Sequence, residues 1–171
     1  MYAMISALLG LAAFAAAATS TASTCTPQPT GYGPTPTPNT PAGFSSSQAF
    51  ADAANNAVTP SLHQQTFKNL KASQLAASTN VYLGYYEIKS YNASACTALC
   101  DGTSGCVGVK LYVERDPSLE LAASCNNLPA MSVIKCALWG SPASATDATN
   151  YGQWREQFEV VVSRRMLVLQ V

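Results

Sequence analysis

The chain has 171 residues, a length that fits one domain with terminal extensions rather than two full-sized domains. Nine basic and nine acidic residues leave it without net charge, so it has neither the basic surface of a nucleic-acid-binding protein nor a polybasic segment for an anionic membrane. We therefore expect no nucleic-acid partner.

The N-terminal segment has the features of a secretory signal peptide. An apolar run covers residues 4–18, and small residues follow it, as a signal peptidase site requires. The run is shorter than the roughly 20 residues that a transmembrane helix needs, and a polar tract follows it directly. We predict a signal peptide over residues 1–19, cleaved between about residues 18 and 23, and a secreted, extracellular product with no membrane segment.

An arm rich in Pro, Ser, Thr and Ala is predicted over residues 20–60. Proline and glycine occur too often in its first part for a helix or a paired strand, whereas residues 47–58 are able to form a short Ala-rich helix. We place the folded domain at residues 61–163 and expect its regular structure to begin near Phe67.

Four short segments of this domain are rich in β-branched and aromatic residues, as strands are. They are VYLGYYEIK at 81–89, CVGVKLYVE at 106–114, VIKCALW at 133–139 and FEVVV at 158–162. In the second segment, apolar residues alternate with Lys110, Tyr112 and Glu114. This alternation predicts a strand with one face on a core and the other in water.

A helix is predicted between the first two strands, because Cys96, Leu99 and Cys100 follow the i, i+3, i+4 spacing that lines one helical face. Asn92 or Ser94 can cap its start, and glycine at 102 can end it. The fold class is therefore α+β, with one helix packed on an antiparallel sheet of about five strands.

The start of this helix also carries a glycosylation sequon, Asn92-Ala93-Ser94. A glycan attaches to the amide nitrogen and leaves the side-chain oxygen free to cap the helix. We predict a glycan on Asn92, the alternative being an unmodified capping residue.

Six cysteines would all lie in the exported product, where oxidising conditions favour disulfides. They are Cys25, Cys96, Cys100, Cys106, Cys125 and Cys136. Their spacing does not form two C-x2-C pairs, and His63 is the only histidine, so we predict neither a metal site nor a cofactor.

A helix bearing C-x3-C, followed by a cysteine that opens a strand and another in a later strand, resembles the PAN/apple module. Further strings resemble a fungal family of secreted PAN/apple-like proteins, of which ERDP, IKC-x2-WG and GQWR are the most specific. The strings run from about Cys25 to Val162 and include CTPQPTGYGP, QTFKNLKAS, YLGYYEIKSYNASACTALCDG, YVERDP, VIKCALWG and NYGQWREQFEVVV. The chain departs from the family at Val109 and Lys110, where a Phe-Asn pair is usual, and everywhere after Val162.

The resemblance implies a small disulfide-rich domain and an extracellular location. By analogy with PAN/apple modules, Cys96 pairs with Cys136 and Cys100 with Cys106, which leaves Cys25 for Cys125. PAN/apple modules bind proteins or glycans, and the fungal branch has no assigned activity. The resemblance therefore implies little chemistry.

The C-terminal residues 164–171 begin where the resemblance ends. Their apolar run has no role in the predicted sheet, and it would either expose apolar surface or extend the last strand. We interpret this tail as an error of gene prediction.

Catalytic groups are scarce. His63 lies in the TPSLHQQ segment before the first strand, which is typical of a solvated linker histidine rather than a general base. Ser132 and Lys135 spell S-x-x-K, but that motif acts at a helix start, and here it enters a strand. We therefore predict no catalytic residue and no enzymatic activity.

The densest charge cluster is Glu114, Arg115 and Asp116, directly before Pro117. At a strand end the two carboxylates point one way and Arg115 the other, whereas the carboxylates of glycosidases usually come from separate elements. Calcium binding or catalysis is the alternative to the structural role that we predict, in which Asp116 starts a turn and Arg115 pairs with a carboxylate elsewhere.

Aromatic side chains are the best functional lead, because glycan-binding sites place such rings against sugar faces. The strand periodicity makes Tyr85 and Tyr112 better surface candidates than Trp139 and Trp154, for which filling a small core is at least as good an interpretation as ligand binding. We therefore name Tyr85 and Tyr112 as candidate ligand-binding residues.

We consider two functions for this chain. The first is a monomeric, non-catalytic extracellular module that binds a glycan or a cell-wall or host protein. The second is a structural or surface protein of the fungal cell wall, tethered by its Pro/Thr arm. A secreted hydrolase that uses Glu114 or Asp116 is a distant third.

Overall fold

A computed structural model describes residues 25–70, 72, 81–122, 125, 128–142, 146, 148–162 and 166–170. The signal peptide predicted over residues 1–19 lies outside the described residues. The helices are α1 (Pro41–Ser45), α2 (Gln48–Asn56) and α3 (Ala93–Asp101). The strands are β1 (Gln64–Leu70), β2 (Tyr82–Glu87), β3 (Gly108–Pro117), β4 (Ala130–Trp139), β5 (Gly152–Arg155), β6 (Phe158–Val162) and β7 (Met166–Gln170). No helix in the described ranges has the length and hydropathy to span a bilayer.

The two short helices α1 and α2 form within the segment that the sequence predicts as an arm. Thr40 caps α1, because its Oγ1 accepts a hydrogen bond from the Gly43 amide at 3.1 Å, and Pro41 occupies the first turn. Helix α2 coincides with the Ala-rich helix predicted over residues 47–58.

This N-terminal segment belongs to the folded core. Phe44 of α1 and Phe50 of α2 are fully buried, with their ring centroids 4.7 Å apart, and both pack in the cluster beneath α3. The amide of glycine 33 also donates to the Ser132 carbonyl at 2.8 Å. The expectation that regular structure begins near Phe67 is therefore wrong, because burying two phenylalanine rings favours docking of the segment over its solvation.

Helix α3 forms where the cysteine spacing predicts it. Asn92, rather than Ser94, is the cap, and its Oδ1 accepts from the Ala95 amide at 3.0 Å. The buried face of α3 carries Cys96 and Cys100, which pack against β3 and β4.

Three disulfides join these elements, Cys25–Cys125, Cys96–Cys136 and Cys100–Cys106. They are the three pairs that the resemblance implies. The second bridge ties α3 to β4, the third closes the turn after α3, and the first joins the segment before α1 to the connection between β3 and β4. Every cysteine of the chain is thus paired.

The strands form one antiparallel sheet in the order β1-β7-β3-β4-β2, and the β5–β6 hairpin joins it through β6 and β3. The fold class is α+β, as predicted, but among the described residues the sheet has seven strands rather than about five. Strand β3 is its centre and pairs with β4 along its whole length, from Gly108 opposite Trp139 to Pro117 opposite Ala130. Strand β2 is at one edge.

Strand β3 is buried on both faces. Its first face carries Val109, Leu111 and Val113 into the core beneath α3, as the alternation predicts. The prediction that its second face lies in water is wrong, since Tyr112 joins a second buried cluster with Trp139 of β4. The sheet curls around this face, and register shifts in β1 and β2 increase the local twist.

The C-terminal run forms β7, which lies between β1 and β3. Leu167, Val168 and Leu169 are buried, the two leucines on the α3 side and Val168 in the second cluster. The expectation that this tail has no role in the sheet is wrong. An apolar run with both faces covered is what a central strand requires.

Candidate functional site

Two carboxylates and a lysine meet on the second face of the sheet. The alternation of β3 places Glu114 and Asp116 on the same side, as predicted. Lys135, on β4, reaches both: its Nζ is 2.6 Å from Glu114 Oε1 and 2.8 Å from Asp116 Oδ2. All three side chains are nearly buried, so the charges of this cluster are stabilised by pairing with one another rather than by water.

Arg155 of β5 stands at the open side of this cluster. Its guanidinium nitrogens are 3.9 Å from Glu114 Oε1 and 3.9 Å from Asp116 Oδ1, beyond hydrogen-bonding distance, and its side chain is partly exposed. The Asp116 Oδ1 atom is buried and has no hydrogen-bond donor. The cluster therefore retains one hydrogen-bond acceptor without a donor, Asp116 Oδ1, next to the long and partly exposed cationic side chain of Arg155.

Burial governs the proton affinities in the cluster. It raises the pKa of Glu114 to about 7; Lys135 opposes this rise and the Asp116 carboxylate adds to it. Burial alone would lower the pKa of Lys135, but the two carboxylates outweigh it, so the pKa of the ammonium is raised overall. The two shifts differ in origin, since burial raises the pKa of Glu114 whereas the two neighbouring carboxylates raise that of Lys135.

A cleft of about 390 Å³ opens beside this cluster, and we call it the Tyr85 cleft. Its polar and aromatic lining consists of Gln28, Tyr85, Glu87, Asp116, Glu120, Lys135 and Arg155. Its apolar lining consists of Pro29, Pro117, Leu121 and Met131. Residues from five separate parts of the chain thus converge on one concave surface, which is the usual form of a small-ligand site.

Tyr85 lies at the rim of the cleft and is 49% exposed, as the strand periodicity predicts. The Lys135 Nζ stands 4.8 Å from its ring centroid. Because β2 is an edge strand, the ring remains open to solvent. The preceding residue, glycine 84, lies where the register with β4 shifts, and its φ of +116° is a conformation that residues with a side chain rarely adopt.

The other aromatic assignments are only partly right. Tyr112 is 8% exposed and packs in the second cluster, so its prediction as a surface residue is wrong; the curl of the sheet covers it. Trp139 is buried, as expected, with the Lys110 ammonium 4.3 Å from its ring. Trp154 is 69% exposed on the β5–β6 hairpin, so of the two tryptophans it is the one at the surface and it does not fill the core.

Arg115 points to the opposite side of β3 from the carboxylates, as predicted. Its Nη1 donates to the main-chain carbonyl of Glu159 at 2.7 Å, and its guanidinium lies 4.4 Å from the Phe158 ring centroid. The expected carboxylate partner is therefore replaced by a carbonyl oxygen and an aromatic ring of β6.

The remaining catalytic candidates stay apart. The His63 side chain is nearly buried, not solvated as predicted, because its ring contacts the Ser61 carbonyl at 3.1 Å and Asp101 Oδ1 at 3.3 Å. Ser132 and Lys135 are three residues apart on β4 and so face opposite sides of the sheet. Within the described residues, no three His, Cys, Asp or Glu side chains are grouped so that they would hold a metal ion.

Sequence reasoning missed Lys135 and Arg155 as partners of the two carboxylates. A lysine in the middle of the apolar VIKCALW segment was a usable signal, since a buried strand position rarely carries a charge without a partner. No comparable signal marks Arg155, whose approach depends on how the β5–β6 hairpin folds over β3.

Comparison with known proteins identified no relative in which an equivalent site could be inspected. No family model, no curated protein and no solved structure matches the chain.

Proposed function

We propose that this chain is a secreted, non-catalytic binding module of the PAN/apple type, and that the Tyr85 cleft binds its glycan or protein ligand. The observation that carries the proposal is the half-exposed Tyr85 ring at the rim of a concave cleft whose lining is about equally polar and apolar. Aromatic rings beside a few convergent polar groups are the usual composition of small-ligand sites. Three disulfides in one small domain support an extracellular location.

The geometry of the carboxylates argues for binding rather than hydrolysis. A glycosidase holds its two carboxyl groups about 5 to 9.5 Å apart with the scissile bond between them. Here Glu114 and Asp116 both bond to the Lys135 Nζ, so a protein nitrogen occupies the place between their oxygens. Glu114 is also 7% exposed, which leaves no room for a sugar to reach it.

Two tyrosines of β2 provide a matched test. Tyr85 and Tyr86 are each 49% exposed, and because they are adjacent on a strand they face opposite sides of the sheet. Only Tyr85 lines the cleft. Tyr85→Ala should weaken binding to glycan arrays and cell-wall polysaccharides about tenfold, as loss of a stacking ring does, whereas Tyr86→Ala should leave binding unchanged.

Equal loss of binding in the two variants would refute the cleft as the binding site. Tight retention in a cell wall that neither variant changes would favour the alternative function, a structural wall protein. Release of reducing sugars by the purified protein, abolished by Glu114→Gln, would revive the hydrolase.

A further inference from the structure

The carboxylates around the Tyr85 cleft outnumber the cations. Among the residues that line the cleft, Asp116, Glu87 and Glu120 contribute three carboxylates, and Lys135 and Arg155 contribute two cations. Lys135 is fully engaged below the surface by Glu114 and Asp116. Glu87 and Glu120 are exposed, and neither has an ion-pair partner among the described residues. The open cleft therefore favours a cation over an anion.

Asp116 supplies a second and independent indication of a ligand. The residue is 7% exposed, and its Oδ1 is a buried acceptor without a hydrogen-bond donor at the wall of the cleft. An unsatisfied buried carboxylate oxygen costs free energy that a donor from outside would recover. Its nearest cation, Arg155 Nη1 at 3.9 Å, is partly exposed and able to shift when a ligand enters.

The cleft also has the shape and the ring for a sugar. Its volume of about 390 Å³ exceeds that of one pyranose unit, and the Tyr85 ring at its rim offers a surface for the C–H face of such a ring. The surroundings of Tyr85 differ from the flat apolar patch that protein partners often bury, since half of the other residues that line the cleft are charged.

We infer that the Tyr85 cleft selects glycans that carry free, protonated amino groups, such as oligomers of glucosamine, over neutral, N-acetylated and acidic glycans. This inference rests on the proposed function. The sugar ring stacks on Tyr85, the ammonium lies among Glu87, Glu120 and Asp116, and the hydroxyl groups bond to the remaining polar atoms of the wall.

Calorimetric titration of the secreted protein with glucosamine oligomers at pH 5.5 tests the inference, with N-acetylglucosamine oligomers of equal length as the comparison. Acetylation removes the charge and two donors, so we expect at least about tenfold weaker binding of the acetylated oligomer. Glu87→Gln and Glu120→Gln should each weaken binding of the amino oligomer about fivefold, as loss of a partly exposed charge pair does. Asp52→Asn, an exposed carboxylate of α2 outside the cleft, should not.

The outcomes separate the inference from the proposed function. Equal affinity for the two oligomers, with both lost in Tyr85→Ala, would overturn the selectivity and keep the cleft as a glycan site. Binding of oligolysine as tight as that of the amino oligomer, insensitive to Tyr85→Ala, would show that the cleft takes a cation without a sugar and would overturn the inference. Absence of binding to any glycan would overturn the inference and would leave a protein as the ligand of the proposed function.

Discussion

Glu114 is a buried carboxylate, and it shares its one close ammonium, that of Lys135, with Asp116. Its ordinary pKa of 4.5, which the unfolded chain retains, is raised by burial to about 7 in the folded chain. Between these two values the folded protein holds a proton that the unfolded protein has released. The free energy of unfolding must then decrease as the pH rises through this interval, because deprotonation charges a buried group.

The stability contributed by Glu114 should therefore be complete below about pH 4.5, fall by roughly 3 kcal/mol as the pH rises to about 7, and stay constant above that. Glu114→Gln, which keeps the shape and cannot ionise, should remove this part of the pH dependence. Urea unfolding followed by tryptophan fluorescence at closely spaced pH values measures it. Asp52→Asn serves as the control on an exposed site, and a Glu114→Gln profile parallel to that of the wild type would contradict the assignment.

Among the described strands, β7 is the one that joins β1 to β3 by backbone pairing. It pairs with the whole of β1 and with the first part of β3, and it places Leu167 and Leu169 in the core beneath α3. A chain without it would leave both neighbouring strand edges unpaired and the apolar core open to water.

Ending the chain after residue 163 should therefore abolish cooperative unfolding and expose apolar surface that binds a fluorescent dye. Leu167→Ala, a milder change at a fully buried position, should lower the free energy of unfolding by about 2 to 5 kcal/mol. Gln170→Ala, at the partly exposed end of β7, should cost less than about 0.5 kcal/mol. An identical urea midpoint for the truncated and full chains would show that β7 does not hold the sheet together.

The disulfides act at the scale of the whole molecule, because each restrains a different length of chain. The loops that Cys25–Cys125 and Cys96–Cys136 close span 100 and 40 residues, so loop entropy alone assigns them about 5 and 4 kcal/mol. Their surroundings reverse this order. Cys96 and Cys136 are fully buried between α3 and β4, where serine hydroxyls would lose their water, whereas the residues after Cys25 are also held by Phe44 and Phe50.

Replacing both Cys96 and Cys136 by serine should thus prevent the chain from reaching its folded state. Replacing Cys25 and Cys125 should leave a folded domain with α1 and α2 still docked and only the residues before α1 loosened. Near-ultraviolet circular dichroism and hydrogen exchange of the two purified variants measure both effects. Rapid exchange throughout α1 and α2 in the second variant would show that the bridge, not the phenylalanine contacts, anchors the segment.

Local patterns in the sequence were sufficient to predict the helix and strands whose ends are determined by residues close to them in the chain. The i, i+3, i+4 spacing at Cys96, with Asn92 or Ser94 as its cap, predicts α3, and the four apolar segments predict strands β2, β3, β4 and β6 close to where they lie. The alternation along β3 also predicts which residues share a face. The pairing of the cysteines came from the resemblance, not from their spacing.

The tertiary structure alone decided what covers each of those faces. An alternation of period two distinguishes two sides of a strand, but burial of Tyr112 follows from the curl of the sheet. Insertion of β7 beside β3, docking of Phe44 and the meeting of Lys135 with Glu114 and Asp116 all join residues far apart in the chain. Such contacts depend on the order and register of strands, which are set by the packing of the complete sheet rather than by any short stretch of residues.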